Sequence, residues 1–190
     1  MSREIIRLAL ILLTICGISA ACVTCAFGLT LPVIENRRTA EVQAGYKEVL
    51  PEAGKLEAVT AADKNILGIM RSEKDGRTNG YIYTASGDGY GGKVVIMAGI
   101  EHPKGRVSGI KVLQQNETPG LGAKCTEPAF LRQFTGKDFA EELKVTKKSG
   151  ARSHEIQAIT ASTITSKAVV QAVNAARAHY LQNYAAGKGE

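Results

Sequence analysis

An apolar stretch without a charged residue constrains this chain more than any other feature of its sequence. No Asp, Glu, Lys or Arg occurs between Leu8 and Ile34. Roughly 20 apolar residues in a helix are enough to cross a bilayer core of about 30 Å. We therefore predict that residues 8–28 form the core of one transmembrane helix and that Pro32 marks its end.

The apolar stretch has two alternative interpretations. A cleavable signal peptide has an apolar region of about 7–15 residues, which is shorter than this one. A lipoprotein signal needs a small-residue run that ends at a cysteine. The run "SAAC" at Ser19–Cys22 comes close, but it lacks the usual aliphatic residue three positions before the cysteine. The sequence therefore favours a permanent membrane anchor.

Arginines flank the stretch at both ends, Arg3 and Arg7 before it and Arg37 and Arg38 after it. Positive charge marks the cytoplasmic side of a membrane protein, so these charges alone do not fix the orientation. The short N-terminal tail favours a cytoplasmic N-terminus. We therefore expect a single pass through the cell (inner) membrane, with the large C-terminal part on the extracytoplasmic side.

Three of the four cysteines, Cys16, Cys22 and Cys25, lie in the apolar stretch, and Cys125 stands alone in the rest of the chain. The pair in "CVTC" has metal-ligand or redox spacing, but it lacks the other two ligands of a closed site. We interpret these cysteines as small packing residues. The alternative is a cluster shared with another membrane protein.

The chain after the apolar stretch is predicted to be α+β, with one globular domain, a mainly antiparallel sheet and a C-terminal helix. A helix from about Glu35 to Leu50 could continue the membrane helix as a stalk after a bend at Pro32. Four β-like runs separated by turn signals indicate an antiparallel meander. The predicted strands are 65–72, 81–86, 93–100 and 107–114, followed by a short helix at 127–134, two short strands within 142–148 and 154–160, and a final helix at 163–184.

The charge pattern argues against nucleic-acid binding. The net charge is +6, from 24 Lys and Arg against 18 Asp and Glu. These basic residues are scattered rather than clustered, and aromatic residues make up only 5% of the chain. His102, His154 and His179 are equally scattered, so the sequence offers no hydrolase triad or metal site.

Two stretches could carry chemistry. The first places five hydroxyl residues at the predicted start of the last helix: Thr160, Ser162, Thr163, Thr165 and Ser166. Such residues can cap a helix, bind an anion at its N-terminus, or be esterified. The second stretch is the loop "ETPGLG" at Glu117–Gly122, followed by Lys124. It is either a tight turn or one wall of a site for a flat or anionic ligand.

Together these stretches resemble the G subunits of Rnf electron-transport complexes, and the related C subunits of sodium-translocating NADH:quinone reductases. That family carries FMN on the threonine at the fourth position of "S-G-A-T-x-T-S", and the matching window here is "TASTITS". The loop "ETPGLGAK", the segment "FLRQFTGK" and the single membrane helix also match. Gln157 replaces the usual Asp upstream, and Thr160, Ala161 and Ser162 replace Ser, Gly and Ala.

The resemblance implies that FMN is covalently attached to Thr163 through a phosphoester bond. It implies a membrane anchor at 1–34, a helical stalk or linker at 35–55 and an FMN-binding domain at 56–190. The phosphate would receive N–H groups of Ile164, Thr165 and Ser166, with Thr160 or Ser162 as the helix cap. The loop would form one wall through Glu117, Thr118, Gly120, Leu121 and Gly122, and Lys124 would support a reduced ring.

The function implied by the resemblance is that of a membrane-anchored electron carrier in an ion-translocating, ferredoxin- and NAD-linked Rnf-type complex. Its partners would be the other subunits of that complex and a separate flavin transferase that loads FMN from FAD. The alternatives are the C subunit of a sodium-translocating NADH:quinone reductase, an anchored anion- or FMN-binding module without a covalent cofactor, and a structural anchor protein.

Overall fold

Helix α1 runs from Ser2 to Val49 in the computed structural model, which describes residues 2–60, 63, 65–148 and 153–185. Its segment Arg3–Pro32 is long and apolar enough to span a membrane, with a mean hydropathy of 2.4. Pro32 lies inside α1, so the prediction that it ends the helix is wrong. A proline removes its own N–H donor and its ring crowds the carbonyl four residues before it, but such prolines are tolerated inside membrane-spanning helices. The stalk helix therefore continues the apolar one.

The chain divides into two compact units, Met1–Val42 and Gln43–Glu190. The second contains a five-stranded antiparallel sheet in the order β1-β2-β3-β4-β5. The four predicted strands are present as β2 (Ile66–Lys74), β3 (Arg77–Asp88), β4 (Lys93–Glu101) and β5 (Arg106–Gln114). The edge strand β1 (Lys55–Val59) is not predicted by the sequence, because its half-exposed segment "KLEAV" carries no clear apolar alternation.

Four smaller elements and a long helix follow the five-stranded sheet. A 3-10 turn at Gly122–Thr126 leads into α2 (Pro128–Leu131), which is shorter than the predicted helix. Two short strands, β6 (Lys144–Thr146) and β7 (Glu155–Gln157), pair in parallel. Helix α3 spans Thr163–Asn183 and confirms the predicted C-terminal helix.

Helix α3 packs on one face of the sheet and forms the main core. Its Val169, Val173 and Ala176 are fully buried against strand residues that include Tyr83 and Ile96. Helix and strand meet closely, because a Cβ added at Gly87 of β3 would lie 2.0 Å from the Ala168 carbonyl oxygen. This packing places the N-terminus of α3 near the β3–β4 turn.

The last turns of α1 cover the opposite face of the sheet. Val49 and Leu50 are 0% and 1% exposed, and a Cβ added at Gly99 would lie 2.1 Å from the Val49 carbonyl oxygen. Gly99 pairs with Gly109, which also lies against Val49. The two glycines therefore form a groove in which the end of α1 lies directly on the strand backbones.

Candidate functional site

The five clustered hydroxyl groups have different environments. Thr165 and Ser166 are 1% and 0% exposed and use their hydroxyls inside the fold. Thr165 Oγ1 donates to Glu117 Oε2 at 2.7 Å. Ser166 Oγ donates to the Ser162 carbonyl oxygen and accepts the Ile159 N–H, both at 2.9 Å. These two hydroxyls tie the first turn of α3 to the segments around it.

The other three hydroxyl residues differ in their access to solvent. Thr160 is exposed, Ser162 is 7% exposed, and Thr163, the first residue of α3, is partly buried. Ser162 is the N-cap residue, but its side chain makes no capping hydrogen bond, since its φ of −138° and ψ of 47° lie outside the usual capping conformation. The expected cap by Ser162 is therefore not formed, so this side chain leaves the first-turn N–H groups of α3 uncapped.

Glu117 links three segments through one buried carboxylate that is 7% exposed. Its Oε2 accepts the Thr165 hydroxyl, and its Oε1 accepts the Gly91 N–H at 3.0 Å. Gly122 must be a glycine here, because a Cβ would lie 2.5 Å from Glu117 Oε2 and 2.7 Å from Thr165 Oγ1. The loop at 117–122, the turn at 89–92 and the start of α3 therefore meet at this carboxylate.

A pocket of about 580 Å³ lies where these segments meet. Its volume is within the range of about 300–1,000 Å³ that is typical for small-molecule and cofactor sites. It brings together residues from both stretches that the sequence singled out. The lining residues are Tyr90, Glu117, Thr118, Leu121, Gly122, Ala161, Ser162, Thr163, Ile164 and Thr165.

Four of the predicted site residues do not line this pocket. The described lining residues do not include Thr160, Gly120, Lys124 or Ser166, and the Ser166 N–H donates to the Ser162 carbonyl oxygen at 3.0 Å. Gly120 has a φ of +78° and serves the turn of the loop, a conformation that a side chain disfavours. Lys124 lies in the 3-10 turn and is exposed to solvent.

The rim of the pocket is apolar and uncovered. Tyr90, Ile164 and Leu121 are 78%, 53% and 45% exposed, although each is a large hydrophobic side chain. The N-terminus of the 21-residue helix α3 opens into the same pocket. An apolar rim beside a helix N-terminus suits a ligand that has both a flat apolar part and an anionic group.

The backbone is bent at Ala161, one of the positions where this chain departs from the family pattern. Ala161 has a φ of +61°, in the left-handed region that favours glycine. A glycine, which the resembled motif has here, would adopt this conformation without strain. Alanine occupies the same bend here with some strain, and the bend directs the chain into α3 beside the pocket.

Cys125 lies in the 3-10 turn and is fully buried. Burial, together with the nearby Glu117 carboxylate, raises the pKa of its thiol to about 11. The group therefore stays protonated at neutral pH and behaves as a small apolar side chain.

Comparison with known proteins identifies the family of this chain. The chain is 38% identical over 189 residues to the G subunit of the Na⁺-translocating ferredoxin:NAD⁺ oxidoreductase complex of Acetobacterium woodii. That alignment covers 90% of this chain and 89% of the relative. The chain belongs to the family of G subunits of Rnf-type ion-translocating oxidoreductases. This Rnf-type protein is also 30% identical over 161 residues to the G subunit of the proton-translocating ferredoxin:NAD⁺ oxidoreductase complex of Clostridium ljungdahlii, over 85% of this chain and 83% of the relative.

The FMN-binding domain family matches residues 89–178 of the Rnf-type chain, a range that contains every residue lining the pocket. The fold is also similar to the crystal structure of the C subunit of Na⁺-translocating NADH-quinone reductase from Parabacteroides distasonis. The TM-score is 0.58 at 24% identity, over 76% of this chain and 82% of that one. Family membership favours the Rnf-type interpretation over the quinone-reductase alternative.

Tyr90 lines the pocket, but the sequence does not predict it as a site residue. The only signal is a large aromatic residue enclosed by glycines in "GDGYGG", a segment that the sequence predicts only as a loop. The sequence does not reveal that this turn meets the loop at 117–122, because the contact depends on the strand register. Strands β3 and β4 pair from Gly80↔Glu101 to Asp88↔Lys93.

Proposed function

We propose that this Rnf-type chain is the membrane-anchored electron carrier of its complex, with FMN attached to Thr163 Oγ1 through a phosphoester bond. The observation that carries this proposal is the distribution of the five hydroxyls. Thr165 and Ser166 are used internally, Thr160 lies outside the pocket, and Ser162 is almost fully buried. Thr163 remains as the hydroxyl residue at the first position of α3 that lines the pocket.

The residues of the pocket fit the two parts of FMN. The N–H groups of Ile164 and Thr165 would hold the phosphate, since the Ser162 side chain does not cap them and they lie at the positive end of the helix dipole. The Ser166 N–H, which the resemblance also implies as a donor to the phosphate, instead donates to the Ser162 carbonyl oxygen at 3.0 Å. Leu121, Ile164 and Tyr90 would cover the flat ring system, with Glu117, Thr118 and Gly122 behind it. FMN supplies the electron transfer when it is bound.

The remaining features of the proposal concern the setting of the domain. Residues 1–34 would anchor the chain in the cell membrane, 35–55 would form the stalk or linker, and 56–190 would form the FMN-binding domain on the extracytoplasmic side. Other subunits of the Rnf-type complex would deliver and receive electrons. A separate flavin transferase would load the cofactor, because the sequence has no general base next to Thr163 that could activate its hydroxyl.

The proposal is tested by the mass and fluorescence of the chain purified from cells that express a flavin transferase. We expect an intact mass increased by one FMN less one water, and a band that fluoresces under ultraviolet light after denaturing electrophoresis. Trypsin should place the increment in the peptide 153–167, which contains Thr163. Thr163→Ala should abolish both signals, because it removes the ester oxygen.

Ser153→Ala is the matched control, since Ser153 is an exposed hydroxyl in the same tryptic peptide but does not line the pocket. It should retain the full increment. An unmodified wild-type chain would contradict the covalent attachment and favour the alternative of an anchored module without a covalent cofactor. An increment that persists in Thr163→Ala would contradict the residue assignment.

A further inference from the structure

The turn between β3 and β4 presents an aromatic side chain that nothing in the described part of the fold covers. Tyr90 is 78% exposed, more than any other large hydrophobic side chain among the described residues that follow α1. It nevertheless lines the pocket beside the start of α3. Exposed aromatic surface of this size is unfavourable in water, so a covering ligand would stabilise it.

The backbone that carries Tyr90 is held in place. The Gly91 N–H donates to Glu117 Oε1 at 3.0 Å, and the Gly89 N–H donates to the Gly92 carbonyl oxygen at 2.9 Å. A Cβ at Gly91 would lie 2.0 Å from the Asn116 carbonyl oxygen. The turn at 89–92 therefore lies directly against residues 116–117. These contacts hold the backbone of Tyr90 in place.

The same carboxylate also holds the helix that carries Thr163. Glu117 accepts the Thr165 hydroxyl at 2.7 Å through its second oxygen, and this contact is buried. One side chain thus sets the position of the Tyr90 turn relative to the first turn of α3. A carboxylate suits this role, because each of its two oxygens accepts one donor.

We propose that Tyr90 is the aromatic wall of the FMN site and contacts the flat ring, and that Glu117 is the positioning residue that holds it there. The proposal rests on the function proposed above, since the ring is that of FMN. Tyr90 would shield one side of the ring, and its electron-rich phenol would quench the fluorescence of the flavin. A phenylalanine would shield the ring equally but would not quench it.

The test uses the full-length, flavin-loaded protein and three variants: Tyr90→Phe, Tyr90→Ala and Leu67→Ala. Leu67 is the control, since it is 58% exposed but does not line the pocket. Intact mass is measured first, and each variant should carry the same increment as the wild type. The flavin fluorescence of the folded protein is then compared with that of the same sample in denaturant, and the accessibility of the ring is measured by iodide quenching.

We expect the folded wild type and Leu67→Ala to be strongly quenched. Fluorescence should rise to near the denatured value in both Tyr90 variants, whereas iodide access should rise only in Tyr90→Ala. A wild type without the mass increment would contradict the covalent attachment rather than the role of Tyr90. Loaded Tyr90→Ala protein that is as quenched as the wild type would overturn the inference, and so would loss of the increment from Tyr90→Ala alone.

The role of Glu117 is tested by Glu117→Gln, which replaces one acceptor oxygen by an NH2 group, so that the Gly91 N–H and the Thr165 hydroxyl can no longer each donate to a separate oxygen. Thr165→Val removes the donor at nearly the same volume, and Thr165→Ser restores it. We expect flavin fluorescence to rise in folded, loaded Glu117→Gln and Thr165→Val, and to return to the wild-type value in Thr165→Ser. A merely structural role would lower the melting temperature without changing the fluorescence, and that result would overturn the positioning role. If Glu117→Gln does not fold, the two Thr165 variants decide.

Discussion

At the scale of single residues, the five hydroxyls have different surroundings. Thr165 and Ser166 form buried hydrogen bonds inside the fold, Thr160 lies outside the pocket, and Ser162 and Thr163 line the pocket at the start of α3. The sequence identifies all five residues, but it cannot assign their roles. The contact between Thr165 and Glu117 joins residues 48 positions apart, and no local pattern predicts it. Thr165 and Ser166 resemble Thr163 in type, so only the packing distinguishes them.

The bend at Ala161 gives a prediction at this scale. Ala161→Gly should stabilise the protein by about 0.5–1 kcal/mol. The left-handed conformation costs an alanine about 1–2 kcal/mol, and glycine avoids this cost. The greater conformational freedom of glycine in the unfolded state offsets only part of the stabilisation. The measurement is the unfolding midpoint in detergent. Ala175→Gly, inside α3, is the control and should destabilise by about 1 kcal/mol. Equal destabilisation by both changes would contradict the strain at Ala161.

At the scale of elements, the apolar helix and the order of the strands are predictable from the chain. Uncharged length predicts a membrane helix, and β-branched runs separated by turn residues predict a meander. Strand β1 escapes prediction, because an edge strand needs few apolar residues. The sequence allows a stalk that continues the apolar helix, but it wrongly ends the apolar helix at Pro32, because a proline usually ends a helix and is tolerated inside membrane-spanning ones.

The glycine groove under the end of α1 predicts a second substitution effect. Gly99→Ala should destabilise the domain by about 1–3 kcal/mol, since the added Cβ would lie 2.1 Å from the Val49 carbonyl oxygen and 2.6 Å from Ser108 Oγ. Gly68→Ala in β2 is the matched control, because a Cβ there has no atom within 4 Å. Thermal unfolding of both variants checks the prediction. A melting temperature for Gly99→Ala equal to that of Gly68→Ala would show that the groove does not hold the helix end.

At the scale of the whole molecule, the compact unit that begins at Gln43 includes the last turns of α1. The sequence predicts these residues as a stalk, because their helical periodicity does not reveal what they pack against. In the structure, Val49 and Leu50 are as buried as the residues under α3. The end of α1 therefore belongs to the folding unit of the sheet.

Truncation tests this conclusion. A chain that begins at Gln43 should fold and melt as one unit. A chain that begins at Pro51 should be less stable by about 3–6 kcal/mol, because it loses two fully buried side chains worth about 1.5–3 kcal/mol each. Calorimetry of the two fragments measures the difference. Similar melting temperatures would mean that residues 43–50 contribute no packing energy to the domain.

The different burial and hydrogen bonding of the clustered hydroxyls have a consequence for the attachment of the cofactor. In an unfolded chain, the neighbouring threonines and serines would offer a transferase several chemically equivalent acceptors. Once α3 has docked, Thr165 and Ser166 are buried and hydrogen-bonded, while Thr163 borders the open pocket. Regioselectivity would then come from tertiary structure, so folding would have to precede cofactor loading for the product to be homogeneous.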